Sequence, residues 1–343
     1  MSENEKKDFE PVKIRVQPSL YDLLVRDAAD FEDFTDKNGK IQMGRFVNAL
    51  VLGYYGDYKS ELARQKESLR VLLSPYIRNR ADLNAVIDQL ITDSRKEESG
   101  EKEKKSALIS FRPWERVEQY AVEIENAADS RGMSLSEYYL NMLQSYVRKP
   151  VYERERYILS EQVDMIHSAM KGRKTEELSF TTREKPLVRH TVLPYRLVRG
   201  ADGQFNYLIC QEKEGKRYVP RSFRLCRLQN LYSRSTEMTL DPKVKQCLDE
   251  MAKYDPRYVI SKPVKTCVEF TDKGLKDFRR IYLGRPEMVP VKGNKYQFTT
   301  SCSYGQVYDY FKRFNPGEFT IIEPEDLKRK LIRFHKKHVE GLE

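Results

Sequence analysis

The sequence predicts an α+β fold with a largely helical N-terminal region, a central all-β segment and a mixed C-terminal region. A short alternating pattern followed by amphipathic helices occurs twice in residues 1–150. Residues 189–232 have the pattern of three or four short strands separated by turns, and residues 235–343 combine both patterns. The 343 residues suffice for two or three domains. We expect boundaries at 1–150, 151–182 (a connecting helix), 183–234 and 235–343.

The N-terminal region contains an internal duplication. Apolar Val12, Ile14 and Val16 alternate with polar residues, which predicts a half-exposed strand. A capping box at Ser134 and Glu137 marks the start of the last helix. The pattern predicts this series twice: strand 12–16, helix 18–31 and helix 43–58, then strand 107–112, helix 114–130 and helix 134–147.

Strand, helix, turn and helix in this order resemble the ribbon-helix-helix fold, in which two units pair their strands into one ribbon. In its DNA-binding members the outward ribbon side chains enter the major groove. Alternation assigns that position to Lys13, Arg15 and Gln17 on the first strand. On the second strand it assigns Leu108, Ser110 and Arg112, a set that suits DNA poorly. The two strands can pair within the chain or across a dimer.

Charge weighs against DNA recognition by this region. Residues 1–58 carry 8 basic and 11 acidic side chains, and residues 106–150 carry 5 and 6. Because a DNA-binding surface normally carries a positive field, the balance favours an assembly platform. Because unpaired strand edges expose backbone donors and acceptors, we also expect a homodimer.

The remaining elements are predicted from periodicity and turn residues. Between residues 58 and 90 the pattern gives two helices separated at Ser74-Pro75, and residues 96–105 form a charged linker. A helix over 153–170 ends at Gly172-Arg173-Lys174. In the C-terminal region we expect strands at 264–270, 295–300 and 319–322, and helices at 273–282, 304–314 and 324–339.

The central segment carries most of the excess positive charge. Residues 183–234 contain 12 basic and 4 acidic side chains, a net charge of +8, and the whole chain has a net charge of +10. Turns at 199–203 and 212–216 separate its strands. A small basic barrel or sheet of this kind is suited to a polyanion.

Arginines of this segment are the first candidates for nucleic-acid contacts. Arg221, Arg224 and Arg227 follow one another on a predicted strand, with Arg224 on the opposite face from the other two. A guanidinium pairs bidentately with phosphate and stacks on bases. The alternative for Arg221 is an ion pair with Glu212 or Glu214.

Aromatic side chains interleave with further arginines on the preceding strands. Tyr195 and Tyr207 are candidate stacking rings, and Phe205 is expected to be a packing residue because it alternates with a core face. The basic positions that accompany these rings are Arg189, Arg196 and Arg199.

Three short stretches of the central segment resemble the WYL domain, a small Sm-like β-barrel. They are VLPYRLV at 192–198, NYL at 206–208 and RSFRLCRL at 221–228, with Asn206 where the family has its Trp. Residues 311–327 are similar to the WCX extension that often follows a WYL domain. Together with the ribbon-helix-helix-like front, the chain resembles WYL accessory proteins of RNA-targeting type VI-D CRISPR systems. That resemblance implies a homodimer that binds single-stranded RNA and stimulates the CRISPR effector nuclease.

Other function classes receive little support. The sequence has no nucleotide-binding loop, metalloprotease motif or nucleophile elbow, so we expect no enzyme and no cofactor. His335 and His338 flank two lysines, which disfavours a metal site. Five cysteines without a CxxC pair and the absence of a long apolar stretch indicate a cytoplasmic protein that does not enter membranes. The alternative function is a transcription regulator that binds operator DNA and senses a nucleotide or nucleic-acid ligand.

Overall fold

The computed structural model describes residues 9–31, 34–36, 38–98, 106–171, 176–182, 185–201, 203–236, 238–257, 264–282 and 284–340. It divides into two compact units, Met1–Asp164 and Met165–Glu343. Helices and strands are both abundant, so the predicted α+β class is confirmed. No helix among the described residues is long and apolar enough to cross a membrane.

In the first unit, two distant strands pair with each other. Strand β1 (Val12–Val16) is antiparallel to β2 (Ala107–Phe111), with Ile14 opposite Ile109. Alternate side chains of both strands are buried, as the periodicity predicts. The ribbon is therefore formed within one chain. Strands β1 and β2 pair with each other, so they do not require a second copy of the chain as a pairing partner.

Helices of the first unit largely follow the predicted series. They are α1 (Pro18–Phe31), α2 (Met43–Leu73), α3 (Arg80–Glu98), α4 (Glu118–Asp129), α5 (Leu135–Val147), α6 (Val151–Ile158) and α7 (Ser160–Lys171), which extends into the second unit. The Ser134 hydroxyl accepts a hydrogen bond from the Glu137 amide, so the predicted cap is confirmed.

Three predictions for these helices need correction. Helix α2 continues past Tyr58 to Leu73 because its buried face continues through Leu62 and its outer half packs on α3. The predicted helix 153–170 is two helices, α6 and α7, separated at Leu159. Helix α3 enters the predicted linker as far as Glu98, whereas residues 99–105 and 172–174 lie outside the described residues.

A buried charged network ties three helices of the first unit together. Asp27 of α1 accepts hydrogen bonds from Arg154 of α6, at 2.6 Å, and from the Tyr146 hydroxyl of α5, at 3.0 Å. The side chains of Asp27 and Arg154 are 2% and 4% exposed. Burial raises the pKa of the Asp27 carboxyl to about 6, and the Arg154 charge opposes that rise.

The second unit begins with a five-stranded antiparallel sheet, which we call the central sheet. Its strands are β3 (Glu176–Thr182), β4 (Lys185–Arg199), β5 (Asn206–Glu214), β6 (Arg217–Arg224) and β7 (Leu228–Ser235). They lie in the order β6-β5-β4-β3-β7, and the edge strands β6 and β7 are not paired with each other. Within the described residues the sheet is open, not a closed barrel. Strand β3 occupies part of the segment predicted as a connecting helix.

Both faces of the central sheet bury apolar side chains. One face carries buried Phe180, Val192 and Leu208. On the other face, Ile209 packs against helix α8 (Pro242–Lys253), which the periodicity analysis did not predict. A strand in the middle of such a sheet is buried on two sides, which explains why β5 does not alternate.

The C-terminal part of this unit is a four-stranded sheet covered by helices. Its strands β8 (Val264–Phe270), β9 (Val289–Pro290), β10 (Gln297–Cys302) and β11 (Phe319–Glu323) lie in the order β11-β8-β10-β9. Its helices are α9 (Asp272–Arg280), α10 (Tyr304–Phe311) and α11 (Glu325–Glu340). The predicted order of elements is confirmed, and only β9 is additional. Phe270, Phe311 and Phe314 lie in its core.

We expect Arg154→Met to lower the free energy of unfolding by about 3–5 kcal/mol near pH 8, because Asp27 is left buried without its counterion. Loss of the Arg154 charge raises the Asp27 pKa further. The folded variant then holds this proton to higher pH than the unfolded chain, and the deficit shrinks near pH 5. Urea unfolding at both pH values measures the effect.

The control is Arg64→Met, which changes an exposed arginine of α2 and should alter stability by less than about 0.5 kcal/mol. The double variant Asp27→Asn/Arg154→Met should recover part of the loss. A deficit under about 1 kcal/mol, or one that grows as the pH falls, would contradict the account.

Candidate nucleic-acid interface

Strand pairing gathers basic and aromatic side chains on one face of the central sheet. Ser179 of β3 lies opposite Thr191 of β4 and opposite Tyr232 of β7. Residues two positions away on the same strands share that face, which adds Arg189 and Arg234. The hydroxyls of Ser179 and Thr191 are 3.0 Å apart. Side chains more than forty residues apart in sequence therefore meet on one surface.

This surface borders an open groove of about 630 Å³, which we call the sheet groove. Three cations line it, Arg189, Lys213 and Arg234, together with the carboxylate of Glu177; Thr191, Glu212, Tyr218, Thr236 and Met238 complete the lining. Lys213 and Tyr218 lie opposite each other on β5 and β6.

Tyrosine rings at the sheet groove remain accessible. Tyr218 and Tyr232 are each 36% exposed. The Arg189 guanidinium donates a hydrogen bond to the Tyr232 hydroxyl at 2.5 Å and lies 5.3 Å from the ring centroid. Hydrogen bonding with Ser179 and the charge of Arg189 lower the pKa of the Tyr232 hydroxyl. The arginine thus holds this ring in place at the surface.

Arg234 and Lys213, two cations of the groove, differ in their surroundings. The Arg234 guanidinium forms an ion pair with Glu177 but its side chain is still 60% exposed, whereas the Glu177 side chain is 7% exposed. Lys213 lies near the turn of the β5–β6 hairpin and is exposed. Both can therefore present positive charge to a ligand in solvent.

Arg221 lies on the opposite face and is engaged in ion pairs. Its Nε atom is 3.0 Å from Glu212, and its second nitrogen pairs with Glu214. Glu212 also lies 2.7 Å from His190 Nδ1 and its side chain is 11% exposed. This is the ion-paired alternative for Arg221 that the sequence left open.

The other two arginines of the predicted cluster lie apart from Arg221. Arg224 is opposite Tyr207 and stacks its guanidinium over Phe205; its Nε is buried without a hydrogen-bond partner among the described residues. Because β6 ends at Arg224, the strand alternation used for Arg227 does not apply. Arg227 is exposed on a short 3₁₀ turn.

Among the remaining candidate residues, Tyr195 packs against helix α8. Its hydroxyl donates to Asp249 of α8 at 2.5 Å, and its ring packs against the apolar side of that helix. Arg196, which is exposed, lies 5.5 Å from the Tyr195 ring. Arg199 is exposed at the end of β4, and Tyr207 is half-buried.

Asn206 occupies the position of the name-giving Trp in the WYL pattern. It is 2% exposed, at the start of β5 and opposite Arg199. A side chain this deeply buried offers no surface for stacking a base. Stacking at the sheet groove must come from Tyr218 and Tyr232.

Arg189 is the only predicted site residue among those that line this groove. Lys213, Tyr218 and Arg234 in the groove, and Tyr232 beside it, were not predicted. Two signals could have found them. Tyr232 and Arg234 alternate on β7, and Lys213 and Tyr218 flank the hairpin turn symmetrically. Neither signal was interpretable while β3, which joins β4 to β7, was not predicted as a strand and was assigned to the connecting segment 151–182.

The ribbon of the first unit presents its predicted outward side chains. Lys13 and Arg15 are exposed on β1, and Gln17, just after the strand, is half-buried. On β2 the outward positions are Leu108, which is 57% exposed, and Ser110. Arg112, the third outward position predicted for the second strand, is exposed directly after β2, so the basic side chains on β1 and β2 themselves are Lys13 and Arg15.

We expect Arg221→Ala to lower the free energy of unfolding by about 1–2 kcal/mol, since Glu212 loses a charged hydrogen-bond partner. Arg196→Ala is the matched control, because Arg196 is exposed on β4 of the same sheet, and it should change stability by less than about 0.5 kcal/mol. Urea unfolding of both variants measures the difference. Equal stability of the two variants would show that the Arg221 ion pairs contribute nothing.

Comparison with known proteins identifies a structural neighbour but no family. No family model and no curated protein matches the chain. A solved structure described as a CRISPR Cas-related protein has a TM-score of 0.67 at 18% identity, covering 100% of this chain and 96% of that one. Proteasome accessory factor B/C (PafBC) of Arthrobacter aurescens gives 0.23 at 13% identity, over 67% of this chain and 39% of that one, too low to support an argument. The chain shares the fold of the CRISPR Cas-related protein.

Proposed function

We propose that this chain is a non-enzymatic accessory protein that binds single-stranded RNA and modulates an RNA-targeting CRISPR nuclease. The observation that carries the proposal is the sheet groove, where Arg189, Lys213 and Arg234 accompany the exposed ring of Tyr218. The exposed ring of Tyr232 lies beside the groove on the same face of the sheet, in contact with Arg189. Phosphates are attracted to the cations, and unpaired bases stack on accessible rings.

Single-stranded RNA fits this surface better than a duplex does. Tyrosine rings stack only on bases that are free of a helical stack, as in single strands, loops and ends. Both rings lie beside cations, so a base and its phosphate can be held together. The Glu177 carboxylate lines the groove beside the three cations and forms an ion pair with Arg234, and stacking must therefore supply part of the affinity.

The CRISPR part of the proposal has two supports. The chain has the fold of a protein described as CRISPR Cas-related, and its WYL-like stretches with the helical front resemble type VI-D accessory proteins. The nuclease is accordingly proposed as the protein partner. The five cysteines are free thiols, which fits the reducing cytoplasm where we place this activity.

A homodimer remains part of the proposal, at a different place from the ribbon. Strand β11 is an edge strand with β8 on one side, and the outer edge of such a strand can pair with another chain. A largely apolar groove of about 580 Å³ lies between β11 and α11, and Ile332 in it is 46% exposed. We propose that a second copy covers this groove.

A second candidate function is DNA binding by the ribbon. Lys13 and Arg15 are exposed on its outer face, where DNA-binding ribbons make their groove contacts. The chain would then act as a transcription regulator, with the second unit as its ligand-sensing part. The uncharged outer positions of β2 make this the weaker proposal.

Removal of the groove's charges and rings should weaken RNA binding in distinguishable ways. Arg189→Ala and Lys213→Ala should each reduce the slope of log affinity against log salt by about 0.7, the value for one phosphate contact with a single strand. Tyr218→Ala should weaken binding by roughly 5–100-fold, as loss of one stacked base does, with little change in slope. Fluorescence anisotropy with single-stranded RNA at several salt concentrations measures both.

The matched control is Arg329→Ala, an exposed arginine on α11, which should leave affinity and slope unchanged. A folded Arg189→Ala/Lys213→Ala/Tyr218→Ala variant that binds RNA as the wild type does would reject the sheet groove as the site.

Reversal of the ribbon charges separates the two candidate functions. Lys13→Glu/Arg15→Glu should leave RNA affinity unchanged, because the proposed contacts lie on the central sheet in the other compact unit. Affinities of wild type and variant are compared for single-stranded RNA and for duplex DNA from the chain's own promoter. Tight duplex binding that the variant loses, beside weak RNA binding by both, would favour the regulator.

Sedimentation equilibrium tests the homodimer. The wild type should have twice the 40.5 kDa mass of one chain. Ile332→Lys should return it to a single chain, because it places a third ammonium beside Lys328 and Lys336, which also line the groove, in a contact that excludes water. A wild type of 40.5 kDa throughout the micromolar range would refute the dimer.

A further inference from the structure

A third cavity in the Met165–Glu343 unit is lined by residues that neither the sheet groove nor the dimer proposal uses. It has a volume of about 620 Å³, within the range of about 300–1,000 Å³ typical of small-molecule sites. We call it the C-terminal pocket. The residues used below are Lys253, Tyr254, Lys265, Arg285, Glu287 and Gln306. None of them lines the sheet groove.

The charge of the C-terminal pocket favours an anion. Three cations line it, from the end of α8, from β8 and from the loop after α9, against the single carboxylate of Glu287. Arg285 is already held in place: its guanidinium donates to the backbone oxygens of Phe278, at 2.5 Å, and Ile281, at 3.2 Å. It also lies 4.5 Å from the Phe278 ring centroid. A fixed guanidinium loses little entropy when an anion arrives.

Gln306 provides an independent sign of a missing partner. The residue is 4% exposed, and its Oε1 atom is buried without a hydrogen-bond partner among the described residues. It lies in the first turn of α10, where its backbone amide donates to Ser303, the N-cap. An amide oxygen that is buried and unpaired is unfavourable, because it has lost its hydrogen bonds to water. The side chain is therefore poised to accept a hydrogen bond from a ligand.

The C-terminal pocket also contains an aromatic ring. Tyr254 follows the last turn of α8 and is half-buried, with the Lys253 ammonium 5.0 Å from its ring centroid. The pocket therefore offers a ring face, an amide acceptor and a cluster of cations. Inorganic phosphate would use the cations alone, whereas a ligand with a flat N–H-bearing ring and a phosphate would use all three.

We propose that the C-terminal pocket binds a nucleoside phosphate. The phosphate contacts Lys253, Lys265 and Arg285, the base stacks on Tyr254, and an N–H group of the base donates to Gln306. The ligand can come from two sources that share this chemistry, a free nucleotide or the phosphorylated end of an RNA chain. The site is separate from the RNA contacts of the sheet groove, so either proposal can fail alone.

Isothermal titration of the full chain tests the proposal. The probes are AMP, GMP, CMP and UMP, with adenosine and inorganic phosphate for comparison. At least one monophosphate should bind, and at least tenfold more tightly than either comparison compound, about the effect of one good polar contact. A short RNA with a 5′ phosphate that binds still more tightly, with the same dependence on Gln306, would identify an RNA end as the source.

The variants are Gln306→Met, which keeps the side-chain length and removes the acceptor, and Lys253→Ala/Lys265→Ala, which changes exposed lysines. Each should weaken binding of the monophosphate about tenfold or more. Lys276→Ala, at an exposed lysine of α9, is the control and should bind as the wild type does. Absence of binding up to about 5 mM, equal affinity for inorganic phosphate, or binding that neither variant changes would overturn the proposal.

Discussion

The pairing of β7 with β3 is the interaction on which the candidate site depends. Strand β7 is last in the central sheet by sequence but lies beside the first strand, with Tyr232 opposite Ser179. That return brings Tyr232 and Arg234 next to Arg189 of β4. Without it, the +8 charge of residues 183–234 would be spread over separate hairpins. The order of the strands thus places basic residues that are far apart in the sequence on one surface.

The same sheet shows why charge alone did not identify the contacting residues. A β-strand alternates its side chains, so half of the arginines face the side opposite the groove. Arg221 is one of them, and the nearby carboxylates Glu212 and Glu214 occupy its guanidinium. The groove-facing positions keep exposed cations beside rings. What distinguishes the two sets is the register of the strands, which composition does not contain.

Local patterns predicted local structure well. The alternation of Val12, Ile14 and Val16 and the residues after Pro18 gave β1 and α1 with their correct limits. Two elements were missed. Strand β3 was assigned to the connecting segment 151–182, and α8 was not recognised despite the Asp241 cap before Pro242. Tyr195 was predicted to stack on a base because it lies among arginines in the sequence. Spacing could not show that its hydroxyl contacts Asp249, 54 residues away. Pairing and docking over such separations are set by the tertiary fold.

Photochemical cross-linking of uridine-rich single-stranded RNA to the full-length chain, followed by mass spectrometry of the linked peptides, tests the central claim most directly. Aromatic side chains stacked on bases lie at the contact distance that such cross-links require. The account predicts cross-links in the peptides that contain Tyr218 and Tyr232. Cross-links confined to β1 and β2 of the ribbon, with none on the central sheet, would contradict it.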